Sequence, residues 1–196
     1  VLNEQERQEI DKLHGNYSVE EIKEFILKNS ILSQEDFFTE ICFKVEKLKQ
    51  EIEDNRRSDK LTFYNENAQN KTPKIEERCR DIILQRLESR YREVYDFTKE
   101  LYEGENRVDI NIRYLKDLSF EVQIECKRDD NDNLYIGIEN QLIKKYFSSG
   151  VNYGLYIIFY FGIKKNKKLM LEKVKKSLPS GFENKIKIYC IDLTIE

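Results

Sequence analysis

The spacing of apolar positions changes partway along the chain. Through residue 57 they recur at intervals of three and four, the period of a helix with one buried face. Ile22, Phe25 and Ile26 follow Ser18-Val19-Glu20-Glu21, which fits a capping box. Phe37, Ile41, Phe43, Val45, Leu48 and Ile52 follow Ser33-Gln34-Glu35-Asp36 in the same way. Helices are predicted at both places, with Gly15 after Lys12-Leu13-His14 marking an earlier stop. Asn55 to Thr72 is polar and Asn-rich and reads as a connector. Thr72-Pro73 then carries a cap followed by a proline, the signature of a new helix, whose stripe is Ile75, Cys79, Ile82/Ile83, Leu87 and Tyr91.

After Glu105 the period becomes two. Val108, Ile110, Ile112 and Tyr114 alternate with polar residues, and so do Phe120, Val122, Ile124 and Cys126. Two strands are predicted, each with one apolar and one polar face, joined by a turn at Leu115 to Ser119. Facing residues of an antiparallel pair share a face, so their indices sum to an even number. A turn centred on Asp117 makes that sum 234 and sets Asp109 opposite Glu125. Ile138, Leu142, Ile143, Tyr146 and Phe147 predict a short helix, Leu155 to Phe161 a strand buried on both faces, Leu169 to Leu178 a helix, and Ile186 to Leu193 a last strand. The pattern divides the chain into a helical N-terminal region with its connector, residues 1–72, and a mixed α/β sandwich, residues 73–196.

Composition narrows the chemistry. The longest apolar run, Leu155 to Gly162, is too short to cross a bilayer, so a cytoplasmic protein with no membrane partner is expected. Four well-separated cysteines without a CxxC, and His14 as the single histidine, argue against disulfide and zinc scaffolds. One histidine also removes most Ser-His and Cys-His enzymes, which leaves carboxylates and lysines to do any chemistry. The net charge is only −3, with the acidic excess in residues 1–72. The opposite excess is the cluster Lys164, Lys165, Lys167, Lys168, Lys173, Lys175 and Lys176. It reads either as a solvated helix face or as a grip on a polyanion.

Asp109 on the first polar face, and Glu125 with Lys127 on the second, form the one constellation with catalytic character. Facing carboxylates about 5 Å apart repel each other and need compensation. A divalent cation would supply it, and hard oxygen ligands suit Mg2+ or Mn2+. Alternation alone favours the other reading, solvent-facing charges on a one-sided sheet, with Lys127 paired to Glu125 or Asp109.

Five segments in order give the chain a resemblance to the PD-(D/E)XK nuclease superfamily, and in particular to bacterial defence-type nuclease domains. Glu76-Glu77-Arg78-Cys79-Arg80-Asp81 resembles the first-helix "E..CRD" motif, and Glu105-Asn106-Arg107-Val108-Asp109-Ile110 the "E.R.DI" strand. Val122 to Lys127 resembles "V.IEIK", Gln141 to Tyr146 the "QL...Y" helix, and Gly154 to Ile158 the strand that comes next. The departures are Cys126 in place of an aliphatic residue and the absence of a tryptophan near Phe159 to Gly162. The resemblance implies a restriction-endonuclease-like αβββαβ core, with a short first strand near Tyr95 to Tyr102 that periodicity does not reveal. It implies Asp109 and Glu125 as Mg2+ or Mn2+ ligands, the Cys126 carbonyl as a third, and Glu76 as a further ligand from the first helix. Lys127 would be the catalytic lysine and Gln141 a contact to phosphate or to Lys127. Glu76 could instead pair with Arg80, Gln141 could be a plain exposed helix residue, and Tyr146 reads as core. The implied substrate is nucleic acid, DNA before RNA. Residues 1–72 would dock on the nuclease part or mediate assembly, as a homo-oligomer or within a larger defence complex. A catalytically weak binding or assembly module with the same fold is the alternative.

Overall fold

The structure is a computed structural model that describes residues 31–54, 57–65, 71–103, 106–147 and 150–195. The chain divides into two units, Val1–Leu32 and Ser33–Glu196, the second of which holds the whole sheet and the helices that cover it. The helix expected after Ser18, the stop at Gly15 and His14 lie outside the described residues. Among the described residues no helix is long and apolar enough to cross a membrane.

Helix α1 (Gln34–Asp54) opens on the expected cap: the Asp36 N–H donates to Ser33 Oγ at 3.1 Å, and that hydroxyl donates back to Asp36 Oδ2. Its buried stripe is Phe37, Phe38, Ile41, Val45, Leu48 and Ile52, while Phe43 faces solvent. The described part of the connector is more ordered than its composition suggests. It holds a short helix α2 (Arg57–Leu61) and buries Phe63 and Tyr64. Tyr64 bridges Pro73, and the Lys74 N–H donates to the Phe63 carbonyl. That pairing keeps Thr72 and Pro73 extended, so α3 (Glu76–Tyr91) starts three residues later than the cap-proline signature predicts. Glu76 and Glu77 fill its first turn, where the helix dipole favours negative charge.

Five strands follow the order β1 (Tyr95–Glu103), β2 (Asn106–Tyr114), β3 (Asp117–Arg128), β4 (Gly154–Tyr160) and β5 (Ile186–Asp192) across one sheet. The first three are antiparallel, and β3, β4 and β5 are parallel. The parallel pairs need crossovers, supplied by α4 (Ile138–Tyr146, wound as a π-helix) and α5 (Lys167–Lys176). The fold is therefore mixed α/β, and β1 stands where the short first strand was expected.

Between β2 and β3 the turn is tighter than predicted. Tyr114 faces Asp117 across Leu115-Lys116, and the register then shifts so that Arg113 faces Glu121. Asp117 Oδ1 accepts from the Ser119 backbone and hydroxyl and shapes the intervening bulge. Beyond it Asn111 faces Gln123 and Ile110 faces Ile124, the register that sums to 234.

The one-sided sheet that alternation alone favours is not what forms, because helices cover both faces. Helices α1 and α3 cover the face carrying Ile110, Ile112, Val122 and Ile124, where Phe37 stacks on Tyr114. Helices α4 and α5 cover the opposite face, packing Leu142, Tyr146, Met170 and Val174 against Tyr156 and Ile158. Polar residues of β2 and β3 are thus enclosed: Asn111, Gln123, Glu125 and Lys127 are all buried. Gly137, just before α4, is a close approach rather than a special dihedral. A Cβ there would lie 2.5 Å from Tyr156 Oη, which donates to the Leu134 carbonyl.

Gly137→Ala should therefore destabilise the fold by about 1–3 kcal/mol through overpacking, and Tyr156→Phe should recover part of that loss in the double variant. Thermal melts of the two single variants and the double variant measure the coupling. Additive losses would refute the close approach.

Candidate functional site

The described β2–β3 ladder ends at Ile110 opposite Ile124. Continuing the register puts Asp109 and Glu125 level with each other, one residue past the last pair. Here the Asp109 side chain takes over from backbone pairing: its Oδ2 accepts the Cys126 N–H at 2.9 Å. Its Oδ1 accepts from Arg80 Nη1 at 3.1 Å. Arg80 is only 2 % exposed on α3, and its guanidinium also donates to Asp81, which is paired in turn with Lys99.

Glu125 is 1 % exposed. Its Oε1 receives a short hydrogen bond from Lys127 Nζ, and its Oε2 accepts from the Tyr146 hydroxyl on α4. Lys127 uses all three of its ammonium protons: on Glu125, on the Cys126 carbonyl at 3.0 Å and on Glu76 Oε1 at 3.3 Å. Glu76 holds the end of β3 with its other oxygen, which accepts from the Arg128 N–H and from Asn131 Nδ2, both at 2.8 Å. So Glu76 turns to Lys127, and Arg80 to Asp109 and Asp81.

The charges follow from this enclosure. Burial, then the neighbouring Asp109 carboxylate, push Glu125 up to about 7 against the pull of Lys127 and Tyr146. Burial pulls the Lys127 ammonium down, but Glu125 and Glu76 more than reverse it and hold its pKa above the ordinary value. Cys126 sits between Glu125 and Lys127 on β3, so its side chain points to the other face and its backbone carbonyl is the atom that meets Lys127, while burial raises its thiol far above the usual range. Burial and Glu125 also raise Tyr146, which keeps its proton as a donor.

Glu76, Asp109, Glu125 and Lys127 share one cleft of about 260 Å3, joined by Gln141 and Lys145 from α4 and by Glu77 and Arg80 from α3. Of the residues the resemblance singled out, Glu76, Asp109, Glu125, Lys127 and Gln141 line this cleft, and Cys126 touches it through its carbonyl on Lys127. Gln141 Oε1 is buried without a protein donor, so an N–H or O–H on a bound molecule would satisfy it. Two residues that hold the site's carboxylates, and one that fastens the loop after β4, are not evident in the sequence. Arg80, one turn beyond Glu76, suggests itself only as a partner of that residue. Tyr146 sits on an apolar stripe and is fully buried, yet its hydroxyl reaches Glu125. Asp129, also fully buried, accepts from the Ile163 and Lys164 backbone N–H groups.

A metal was expected to relieve the Asp109–Glu125 repulsion. The compensation present is organic: Arg80 on one carboxylate and Lys127 on the other. Among the described residues no three His, Cys, Asp or Glu side chains are grouped to hold a metal ion. The donor chemistry nevertheless fits a hard divalent cation, because Glu125, Glu76 and the Cys126 carbonyl already converge on a single cationic point, the Lys127 ammonium.

The two amide substitutions should behave oppositely in metal-free protein. Asp109→Asn leaves the buried Arg80 short of an anion and should destabilise by about 1–3 kcal/mol. For Glu125 the folded pKa lies above the unfolded value, so the folded state holds a proton that the unfolded state has released. Stability falls as pH rises from about 4.5 to about 7. Glu125→Gln removes that loss and should gain on wild type between pH 5 and pH 8. Melting temperatures at the two pH values in EDTA decide it, and a pH-independent difference would contradict the burial of an ionisable Glu125.

No curated protein and no solved structure matches the chain. Residues 36–163, a span that holds every residue of the cleft, match the model of the family described as Domain of unknown function (DUF8371), and the protein belongs to that family.

Proposed function

We propose that the protein is a metal-dependent nuclease that hydrolyses phosphodiester bonds in nucleic acid, with DNA the first substrate to test. The observation that carries this is the convergence of Asp109, Glu125, Glu76 and Lys127 in one cleft at the point where β2 and β3 part. Asp109, Glu125, the Cys126 carbonyl and Glu76 would hold Mg2+ or Mn2+. Such an ion, when bound, polarises a phosphate and lowers the pKa of water. Arg80 keeps Asp109 fixed, and the Tyr146 hydroxyl keeps Glu125 turned into the cleft. Lys127, once exchanged off Glu125, carries a positive charge to the phosphate oxygens as negative charge grows on them. Gln141 Oε1 accepts a hydrogen bond from water or from the nucleotide.

A second reading, a nucleic-acid-binding or assembly module with little turnover, is favoured by one feature. Three carboxylates of the cleft, Glu76, Asp109 and Glu125, already have cationic partners in Arg80 and Lys127.

Incubation with plasmid, linear duplex, single-stranded DNA and RNA, each in EDTA, Mg2+ or Mn2+, separates the two. Cleavage in metal and none in EDTA is the expected result, and no cleavage of any substrate favours the second reading. Lys127→Ala should lose roughly 100-fold or more in rate. The same variant should bind Mg2+ at least as tightly as wild type in calorimetry, because the ammonium it lacks stands where the ligand oxygens meet. Wild-type cleavage by this variant would sink the catalytic role of Lys127, and weaker Mg2+ binding would sink the shared position.

A further inference from the structure

Residues 164–187 carry nine lysines against two glutamates in a chain whose net charge is −3. The frame beneath them is fixed. Asp129, two residues beyond Lys127, binds the Ile163 and Lys164 N–H groups at 2.8 and 3.2 Å, while the Tyr160 hydroxyl donates to the Lys164 carbonyl. The Asn166 side chain accepts from the Leu169 N–H and starts α5. Met170 and Val174 face the core, which turns Lys168, Lys173, Lys175 and Lys176 outward. Lys167 is paired with Asp192, and among the described residues it is the one lysine of this segment with a carboxylate within 4 Å.

We propose that the loop after β4 and the outer face of α5 form a docking surface for the phosphate backbone of a nucleic-acid duplex, bordering the candidate cleft. Asp129 ties the loop to the strand that bears Glu125 and Lys127. Lys173 lies over the ring of Tyr135, in the segment that leads into α4 and its cleft residues Gln141 and Lys145. Lysines without a carboxylate within 4 Å, held on a backbone that is already ordered, meet a polyanion without ordering the chain. An anionic membrane suits the surface less well. The large apolar side chains exposed on it, among the described residues, are Ile163 and Leu169, each 47 % exposed, too little to insert.

The choice of nucleic acid rests on the nuclease reading, so binding is measured in EDTA, where docking and cleavage are read separately. The probe is a labelled 30-base-pair duplex, followed by fluorescence anisotropy over a salt series with the full chain. Lys165→Glu, Lys168→Glu and Lys173→Glu combined should weaken binding at least tenfold near 0.1 M salt. They should also reduce the slope of log affinity against log salt by about 0.9 for each phosphate no longer neutralised. Lys47→Glu, Lys71→Glu and Lys116→Glu combined change the net charge equally and should alter affinity less than threefold. The triple alanine variant of the first set, which introduces no acid, should move in the same direction as the glutamates. Circular dichroism confirms that each variant is folded. Equal loss in both glutamate sets, no loss in the first, or wild-type preference for phosphatidylserine vesicles over the duplex would overturn the surface. Binding with no cleavage in any metal overturns the nuclease reading instead and leaves the surface standing.

Discussion

Glu125 must stay buried next to a second carboxylate, and most of the arrangement around it answers that demand. An ion taken out of water loses several kcal/mol of solvation unless charge and hydrogen bonds replace it. Lys127 and Tyr146 supply the replacement from two different elements. Lys127 then needs partners for its remaining protons, which brings in the Cys126 carbonyl and Glu76. Glu76 can reach because α3 begins at that residue, and it begins there because Tyr64 and Pro73 pair just before it. The start of a helix, the end of a strand and the packing of α4 are therefore tied to one buried charge.

Asp109 shows the same logic on the neighbouring strand. Its carboxylate accepts the Cys126 N–H where the β2–β3 ladder stops, and its charge is met by Arg80. Arg80 is shared with Asp81, which Lys99 of β1 holds in turn. Charge thus alternates from the edge strand inward to the cleft, and each member has a neighbour of opposite sign. Such a chain specifies geometry more than it adds stability, because each pair offsets its own desolvation before contributing anything.

Much of this was legible because side-chain period and register are local. The alternation from Val108 to Cys126 sets which residues share a face, and the count across the turn put Asp109 level with Glu125 even though the turn is a tight hairpin followed by a bulge. Burial of the polar face was not legible. Asn111, Gln123, Glu125 and Lys127 look like a solvent face until α4 and α5 are folded over them, a consequence of the crossovers and not of any window of sequence. Arg80 and Tyr146 escaped for the same reason: each looks like an ordinary helix residue, and its function lies in a partner 29 or 21 positions away. The early helix start expected at Thr72-Pro73 failed because a strong local signal was outweighed by pairing with Phe63 to Asn65.

Strand β3 is where the sheet changes from antiparallel to parallel, and that change locates the cleft. On its antiparallel side the chain parts from β2 and leaves room for Asp109. On its parallel side the crossover after Arg128 carries the chain over the opposite face and delivers Gln141, Lys145 and Tyr146. The resulting cleft is close to electrically neutral and has no positive excess, since its four carboxylates share it with three cations, Arg80, Lys127 and Lys145. A neutral cleft exerts little pull on a polyanion beyond about 10 Å at 0.1 M salt. On the nuclease reading, attraction must then come from elsewhere on the molecule, and the same crossover topology provides for it. The next turn of the chain, fastened by Asp129 to the end of β3, holds the outward lysines of α5 next to the segment that supplies the cleft. Capture and chemistry would be separate properties of adjacent surfaces, joined by one buried carboxylate.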